Sequence, residues 1–446
     1  MMLKVTLFFL VAAAACALAD APPKSINPQV AQIVAQVSTD RIAAIQQKLG
    51  SFQTRNIYSS TTDPEHGIGA AREWIAAQMK SYSPRLQVSF DKHRLAKQNT
   101  RMVGNVEIWN VVAVLPGTSE PERQVIIGAH YDTIDMIYKT GPDGKRVLDT
   151  EATAHAPIAP GVTDDGSGTA AVMELARVMS QYQFRKTIVF IAFAAEEYGL
   201  FGSSLYAENA AEHHAQIEAM FNNDLIGSDV TGDGRTTNHY VNVYSEEPND
   251  SLSRELARYT EHAAERYQPG FDVSLIFRQD RFGRGGDHSP FNAHGYAAIR
   301  ITTASEDFAN QHTPTDTFAN TAPGYTVLVA KANAAAIASL ALAPKAPELP
   351  AVSPLGRGAG YDAVLHWENA KAEGDVVGYE VLMRKTTAPE WEREVFVGNV
   401  SSYTMHNVNI DEVVLGVRAV DRNGNESLVT PYVVRPYPVR DKIATY

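Results

Sequence analysis

Short, continuously apolar segments alternate with longer amphipathic segments through most of the chain, and this alternation limits the possible folds more than any other feature. Strands buried on both faces have such unbroken apolar sequences, whereas half-exposed strands alternate in polarity. The pattern predicts an α/β fold, with a mostly parallel mixed sheet covered by helices on both faces. Strands are predicted at 106–117, 123–133, 186–195 and 296–304, helices at 167–182, 251–267 and 324–343, and a helix running into a strand at 215–227.

Two helical segments precede the first predicted strand. Residues 30–50 place apolar side chains three and four positions apart and end at Gly50, and residues 70–82 form a second amphipathic segment. Residues 134–157 then interrupt the alternation with a polar stretch that contains the turn-forming tetrapeptide Gly-Pro-Asp-Gly. This stretch is predicted to be a long surface excursion.

The composition changes after the last predicted helix. Residues 344–354 are rich in proline and alanine, which predicts a semi-rigid linker between a domain at 20–343 and a second one at 355–446. The second domain contains short segments of alternating polarity separated by turn residues, which predicts a small all-β sandwich with Trp367 and Tyr379 in its core. The order of its strands resembles a fibronectin type III module. Such a module could contact a polymer, a cell surface or another protein.

Residues 1–19 have the features of a secretory signal peptide. Lys4 precedes a short apolar run, and an Ala-Leu-Ala cleavage signal ends at Ala19. The run is shorter than the roughly 20 residues that span a bilayer, so no membrane span is predicted. A lipoprotein signal using Cys16, the single cysteine, is the alternative, but Ala13 stands where such signals usually carry leucine. We therefore expect a secreted or periplasmic protein.

The charge distribution argues against a nucleic-acid partner. The formal net charge is −12, and the 39 lysine and arginine residues are scattered along the chain. A protein that neutralises nucleic-acid phosphates gathers such residues into a patch or stripe.

Acidic and imidazole side chains stand where the predicted strands end. Ligands of open α/β sheets collect at the carboxyl ends of strands, and buried carboxylates need a partner charge or a metal. Taken singly, these residues have plain alternatives, because an Asp-Asp-Gly-Ser loop is usually a helix N-cap and a Glu-Glu pair is usually solvated. Their joint occurrence at successive strand ends predicts a metal site. The residues are His130, Asp132, Asp164, Asp165, Glu196, Glu197 and Asp224.

The adjacent glutamates Glu196 and Glu197 follow the most apolar of these strands. Successive side chains of a regular strand point to opposite faces. The two carboxylates can therefore converge only if the chain turns at this point, and Tyr198 and Gly199 are predicted to supply the turn.

The segments that carry these residues resemble the M28 family of zinc exopeptidases, the aminopeptidases with two zinc ions in one site. The resemblance extends from about residue 100 to 340 and rests on GAHYDT, GVTDDGSG, AAEEYGLFGS, NNDLIG, GGDHSPF and HTPTD. It implies that the first domain is a zinc peptidase domain and that the substrates are peptides.

The resemblance also implies a ligand for each metal position. One zinc would be bound by His130 and Asp224, the other by Glu197 and His312, and Asp164 would bridge the two ions. Imidazole nitrogen and carboxylate oxygen are donors that suit zinc.

Further roles follow from the same resemblance. Glu196 would be the general base that takes a proton from a zinc-bridging water and gives it to the departing amine. Asp132 would orient a histidine ligand. Asp287 and His288 match a family segment near the substrate pocket. Gln311 stands where several relatives have a tyrosine that stabilises the oxyanion, and its amide can also donate a hydrogen bond.

Alternatives remain open for the oxyanion donor and for the reaction. Tyr131 or an arginine near Arg284 could donate to the oxyanion instead. The leading prediction is a secreted di-zinc aminopeptidase. A carboxypeptidase- or dipeptidase-like hydrolase is the alternative, since a substrate carboxylate could be bound by Arg278, Arg281, Arg284 or Arg300. A glutaminyl cyclase-like enzyme with one zinc and a non-catalytic binding protein are further alternatives.

Overall fold

The structure is a computed structural model that describes residues 26–358, 360–368 and 375–433. The predicted signal peptide at 1–19, with Cys16, lies outside the described residues, as does the end of the predicted sandwich.

The described residues contain helices and strands in the alternating order that the sequence predicts. The helices are α1 Pro28–Gln36, α2 Thr39–Gly50, α3 Gly67–Tyr82, α4 Thr150–Ala154, α5 Gly166–Met179, α6 Phe201–Glu212, α7 Leu252–Tyr267, α8 His288–Ala293 and α9 Pro323–Leu342. The first ten strands are β1 Gln87–Leu95, β2 Val106–Leu115, β3 Glu120–His130, β4 Tyr138–Thr140, β5 Arg146–Leu148, β6 Lys186–Phe193, β7 Gln216–Asn223, β8 Tyr240–Ser245, β9 Asp272–Ile276 and β10 Ala298–Thr302. The remaining strands are β11 Leu355–Arg357, β12 Ala363–His366, β13 Val376–Lys385, β14 Arg393–Gly398, β15 Ser402–Met405, β16 Val413–Asp421 and β17 Thr430–Pro431.

Eight strands form one mixed sheet in the order β1-β2-β6-β3-β7-β10-β8-β9. The central strands β6, β3, β7 and β10 are parallel to their neighbours in this group. Antiparallel pairs join β1 to β2, β2 to β6, and β8 to β10, and β9 runs parallel to β8. The predicted mostly parallel mixed sheet is therefore confirmed.

Strand β6 shows why the central strands are continuously apolar. All eight of its residues are buried. Ile188 and Phe190 face the larger core cluster, which includes side chains of α1, α2, α3, α5, α7 and α9. Val189 and Ile191 face the smaller cluster, which includes side chains of α6 and α8. Both faces of the sheet are covered, so neither face of the strand carries polar side chains along its apolar run.

Two secondary-structure predictions are wrong in detail. The predicted helix at 30–50 is divided at Val37, because the Ser38 side chain caps α2 by accepting a hydrogen bond from the Arg41 main chain. The predicted helical start of the segment at 215–227 is strand β7 from its second residue. From Ala219 to Phe221 its apolar side chains alternate between the two faces of the sheet, a period of two that belongs to strands.

The excursion at 134–157 contains the two-stranded β4–β5 hairpin and the short helix α4. Gly141 and Lys145 are joined across the Gly-Pro-Asp-Gly turn by a main-chain hydrogen bond of 2.7 Å. The predicted turn is therefore present, although the excursion is more ordered than its polar sequence indicates.

The C-terminal strands form two small antiparallel sheets, β11-β12-β15 and β14-β13-β16-β17. Side chains of both sheets share one hydrophobic cluster, in which the rings of Trp367 and Tyr379 lie 5.5 Å apart. The predicted all-β sandwich is confirmed within the described residues. Its likeness to fibronectin type III and the boundaries at 344–354 stay predictions.

The sandwich contacts the first domain through charged side chains on α7. Glu426 accepts hydrogen bonds from His262 at 3.0 Å and Arg266 at 3.1 Å, and Trp391 donates to Glu255 at 3.0 Å. The two units therefore share a polar, partly buried contact.

Helix α9 is long and apolar enough to cross a membrane, and it is the one such helix among the described residues. In the fold, 83% of its most apolar window is buried, which is the environment of a core helix.

Candidate metal centre

The structure brings the predicted ligands together at the carboxyl edge of the parallel strands. His130 ends β3, Asp224 follows β7, and Glu197 lies in the turn after β6. Asp164 comes from the loop before α5, and His312 from the loop between β10 and α9. Parallel strands end at the same edge of a sheet, which is why residues far apart in sequence meet there.

Asp164 lies between the two histidines. Its Oδ1 atom is 3.1 Å from His130 Nε2, and its Oδ2 atom is 3.0 Å from His312 Nε2. Each histidine also faces a second carboxylate. Asp224 Oδ1 is 3.9 Å from His130 Nε2, and Glu197 Oε2 is 3.1 Å from His312 Nε2. The arrangement places one shared carboxylate between two histidine–carboxylate pairs.

The donor set fits divalent cations. His130 forms one group of convergent donor atoms with Glu196 and Asp224, and another with Asp164 and Glu197. The Oε1 atom of Glu197 is buried and has no hydrogen-bond partner among the described residues. A buried carboxylate oxygen without a partner is costly, whereas a metal ligand in that position is stabilised.

The ionisation of the cluster reflects crowded negative charge. Burial raises the pKa of Glu196 well above its usual value, and the charges of Asp224 and Glu197 add to this effect. Burial also raises the pKa of Glu197. Burial opposes the charged form of His312, but the carboxylates of Glu197 and Asp164 outweigh it and raise the pKa to about 11. Bound cations would relieve this repulsion.

Asp165, the neighbour of Asp164, holds the surrounding main chain. Its carboxylate caps α5 by accepting from Gly168 at 2.9 Å, and it accepts from the main chain of His130 at 3.3 Å and of Leu225 at 3.2 Å. The Asp-Asp pair is thus both the helix cap and the source of the central donor, because the two side chains point to different partners.

Asp132 orients two parts of the site. Its main-chain oxygen lies 3.1 Å from His130 Nδ1, whereas its carboxylate is 3.6 Å from that atom. The carboxylate instead accepts from the main-chain nitrogens of Glu196 at 3.1 Å and Glu197 at 3.3 Å. Asp132 therefore holds the imidazole and the Glu-Glu turn together.

The turn after β6 starts before the predicted turn residues Tyr198 and Gly199. Ala195 has a φ of 64°, so the strand direction is lost before the glutamates. The carbonyl of Glu196 then accepts from Gly199 at 2.9 Å and Leu200 at 3.0 Å, which closes the turn. Gly199 has a φ of 132°. This geometry lets adjacent glutamates face the same centre.

Several residues support the site in roles that the sequence did not predict. Arg300 is fully buried and lies with Nη2 3.0 Å from Asp224 Oδ2, so it supports a ligand and does not reach substrate. The Asp316 carboxylate accepts from the main chain of Thr163 at 2.8 Å and of Asp164 at 3.0 Å. Arg55 is fully buried and donates to four main-chain carbonyls around the site. The signal for Asp316 was its place in the HTPTD segment, whereas Arg55 and Arg300 follow no motif.

The predicted pocket residues Asp287 and His288 are not among the residues that line the cleft, contrary to the prediction. Both are buried, and His288 Nε2 lies 2.9 Å from the carbonyl oxygen of Gln279. Burial raises the pKa of Asp287 to about 7 and lowers that of His288 to about 4. Both side chains enter the core because α8 begins at His288 and packs against the sheet.

Two of the three candidate oxyanion donors, Gln311 and Tyr131, are placed differently, and the third, Arg284, lines the cleft. Gln311 lines the cleft, where its amide nitrogen donates to Asp164 Oδ2 at 2.8 Å. Tyr131 is fully buried, and its hydroxyl donates to the Trp109 carbonyl at 2.8 Å, so it does not face the cleft.

An open cleft of about 410 Å³ lies over the candidate metal centre. Its lining includes Asp164, Glu196, Glu197, Asp224 and His312. The cleft is within the size range of small-molecule and peptide sites, so the centre is accessible to a substrate.

An open α/β sheet with these facing imidazoles and carboxylates defines a class, the metal-dependent hydrolases. The sequence profile described as Peptidase family M28 matches residues 110–337. The chain belongs to this family and is a metallopeptidase. A protein of Leptosphaeria maculans named "Probable zinc metalloprotease" is 34% identical over 441 residues, covering 92% of this chain and 97% of the relative. A protein of the same name from Pyricularia oryzae is 35% identical over 475 residues, covering 95% of this chain and 90% of the relative.

Solved structures show the same fold. The LapA aminopeptidase of Legionella pneumophila has a TM-score of 0.54 and 20% identity, covering 73% of this chain and 77% of LapA. LapB of the same organism has a TM-score of 0.54 and 22% identity, covering 72% of this chain and 77% of LapB. BSAP, a zinc aminopeptidase from Bacillus subtilis, has a TM-score of 0.51 and 16% identity, covering 68% of this chain and 94% of BSAP.

Proposed function

We propose that the chain is a secreted aminopeptidase that uses two zinc ions to remove N-terminal residues from peptides. The position of Asp164 carries the two-metal part of this proposal, because its two carboxylate oxygens face different histidines, His130 and His312, at 3.1 and 3.0 Å. Each histidine has a further carboxylate beside it, Asp224 or Glu197. A shared carboxylate between two such pairs supports two metals that share a ligand.

Zinc is the metal that the donor atoms and the relatives support. Imidazole nitrogen and carboxylate oxygen suit zinc. The relatives at 34% and 35% identity are named probable zinc metalloproteases along nearly their whole length. The carboxylates of Asp164, Glu197 and Asp224 would offset most of the charge of two divalent cations.

Glu196 is the proposed general base. When bound, the metals would supply polarisation of the scissile carbonyl and a more acidic water. The Glu196 side chain lines the cleft and is 14% exposed, so its carboxylate can reach a substrate. It would take the proton of the attacking water and deliver it to the departing amine. The hydrogen bond from its main chain to Asp132 keeps the base in place.

Cleavage at the N-terminal end of the substrate is supported by the names of similar structures. LapA and BSAP are named aminopeptidases, which favours a cut at the N-terminus. A carboxypeptidase- or dipeptidase-like activity is the second candidate, because Arg101, Arg281 and Arg284 line the cleft and could bind a carboxylate. Of the other arginines predicted to bind a substrate carboxylate, Arg300 is buried and Arg278 is not among the residues that line the cleft.

Secretion is proposed from the sequence of residues 1–19 alone. The basic Lys4, the apolar run and the Ala-Leu-Ala signal support it. N-terminal sequencing of the protein exported by its own cells tests this part, and an intact N-terminus in the cytoplasmic fraction would contradict it.

The test of the catalytic proposal is metal content together with hydrolysis of a panel of amino-acid p-nitroanilides, for the wild type and Glu196→Gln. We expect two zinc ions per chain in both proteins and a kcat that is about 10²- to 10⁴-fold lower in the variant, because proton transfer is lost. Glu212→Gln, an exposed glutamate at the end of α6, is the matched control and should leave kcat unchanged.

Each part of the proposal has its own contrary result. One zinc per chain would remove the two-metal mechanism. Trimming of N-blocked peptides from the other end, without hydrolysis of any p-nitroanilide, would favour the carboxypeptidase-like candidate. Full activity of Glu196→Gln would exclude Glu196 as the base.

A further inference from the structure

The charges that line the cleft have an uneven arrangement. Every carboxylate that lines it, from Asp164, Glu196, Glu197 and Asp224, belongs to the candidate metal centre. The other charged side chains that line it are three arginines, Arg101, Arg281 and Arg284. The chain as a whole has a net charge of −12, so this concentration of cations is local.

Two of these arginines have charge that is available to a ligand. Arg281 is already paired, with both oxygens of Glu306 at 2.8 Å from its Nη1 atom. Arg101 is exposed and donates to the main-chain oxygen of Glu197 at 3.0 Å, and it has no ion pair within the described part of the chain. Arg284 is also exposed, and it forms only a longer ion pair, of 3.5 Å, with the Glu306 carboxylate that Arg281 already binds at 2.8 Å.

Both available arginines adjoin the candidate metal centre. Arg101 contacts the main chain of Glu197, a proposed ligand. Arg284 Nη1 lies 3.5 Å from the side-chain oxygen of Gln311, whose amide nitrogen binds Asp164. A carboxylate held by either guanidinium would therefore lie beside the candidate metal centre, where the scissile bond must be bound.

We propose that Arg101 and Arg284 bind a substrate carboxylate, and that the preferred substrates are short or acidic peptides. The carboxylate is the C-terminus of a dipeptide or tripeptide, or an acidic side chain beside the scissile bond. Guanidinium groups bind carboxylates through charge-assisted hydrogen bonds, and this binding offsets the repulsion between an acidic peptide and a negatively charged protein. The inference rests on the proposed aminopeptidase function and names its substrate class.

Matched substrate pairs separate the sources of the carboxylate. With Xaa as the residue that is best hydrolysed in the p-nitroanilide panel, Xaa-Gly is compared with Xaa-Gly-amide, and Xaa-Glu-amide with Xaa-Gln-amide. We expect the carboxylate-bearing member of at least one pair to have a kcat/KM at least tenfold higher, because hydrogen bonds to charged groups contribute a factor of about 10 to 100. The pair that shows the difference identifies a C-terminal or a side-chain carboxylate.

Single variants locate the effect. Arg101→Gln and Arg284→Gln should each reduce the ratio within that pair about tenfold, mainly through KM, and the ratio corrects for any change that both substrates of the pair share. Arg94→Gln is the control, because Arg94 is an exposed arginine outside the cleft whose partner is Glu107. In the Glu196→Gln background, calorimetric titration should show the same preference as a difference in Kd. This measurement does not depend on turnover.

The contrary results are distinct from those of the proposed function. Equal kcat/KM within both pairs, or a preference that survives in both arginine variants, would overturn the carboxylate site while leaving an aminopeptidase. No hydrolysis of any free-amine substrate would overturn the proposed function and this inference with it.

Discussion

Two groups of buried carboxylates in this molecule have opposite electrostatic surroundings. At the candidate metal centre, burial and crowded negative charge raise the pKa of Glu196 and Glu197. Where the sandwich contacts α7, burial also opposes the ionisation of Glu426, but Arg418 and Arg266 outweigh it and its pKa is lowered to about 2. The pKa of the same residue type is therefore shifted in opposite directions because its neighbours differ.

The difference separates a binding site from a structural network. Arg418 is buried and lies 2.6 Å from Glu380, 3.1 Å from Glu394 and 3.1 Å from Glu426, so the interface carboxylates have a cation within the fold. The carboxylates of the metal centre meet one arginine, Arg300, among the described residues. A network that supplies its own cations is complete when the chain folds, whereas the other cluster requires cations from outside.

The largest effect is expected from breaking the complete network. Arg418→Met would leave three buried or half-buried glutamates without their shared cation. We expect the free energy of unfolding at pH 7 to fall by about 3 to 5 kcal/mol, measured by urea denaturation. Arg94→Met, which removes an exposed arginine that pairs with Glu107, should change it by less than about 1 kcal/mol. Equal effects of the two variants would show that the interface network adds no more than a surface pair.

Stabilisation of the fold by zinc should depend on the ligands of the metal centre and not on the interface network. Zinc at 100 times its Kd should raise the free energy of unfolding by about 2.7 kcal/mol for each independent site, because it binds the folded state. Thermal unfolding with and without a chelator measures this gain. Asp224→Asn should reduce it, whereas Arg418→Met, far from the ligands in the fold, should keep it. A Tm that does not respond to zinc would contradict a metal centre built from these donors.

The fold was accessible from the sequence because apolar periodicity reports burial. The continuous run of β6 predicted a strand covered on both faces, and both faces are covered. The same reasoning failed for the start of β7, where the spacing of apolar residues in a short segment fits both a helix and a strand. The division between α1 and α2 was missed because it depends on one side-chain cap, that of Ser38.

The sequence predicts those residues of the candidate site that stand at strand ends or in the segments that resemble the M28 family. That reasoning gathered His130, Asp164 and Asp224, which the structure brings together. It named Arg300 only as a possible binder of a substrate carboxylate and missed its place beside Asp224, because a buried arginine behind a ligand is specified by three-dimensional packing and by no local motif. It misplaced Asp287 for a related reason, since a residue near a pocket in sequence can face the core.

At the interface between the sandwich and α7, the carboxyl of Glu261 has no ion pair among the described residues. Glu261 faces a cavity of about 100 Å³ that Glu265 and Glu390 also line. Burial raises the pKa of Glu261 to about 8, and the charges of Glu265 and Glu390 add to this effect. It therefore resembles the carboxylates of the metal centre more than its neighbour Glu426, although it lies in the structural interface.

Glu261→Gln tests whether that carboxyl limits the stability of the interface, and it is the smallest effect that we predict. The folded state holds the Glu261 proton up to a pH of about 8, whereas an unfolded glutamate releases it near 4.5, so stability falls as the pH rises between these values. Glutamine imitates the protonated form. The variant should match the wild type at pH 4.5 and be more stable at pH 8.5 by on the order of 1 kcal/mol, a gain that partial solvent screening keeps small. Urea denaturation at both pH values measures the difference, with Glu212→Gln as the exposed control. A gain of equal size at both pH values would show that the substitution acts through packing, because a charge effect must vanish where the carboxyl is already neutral.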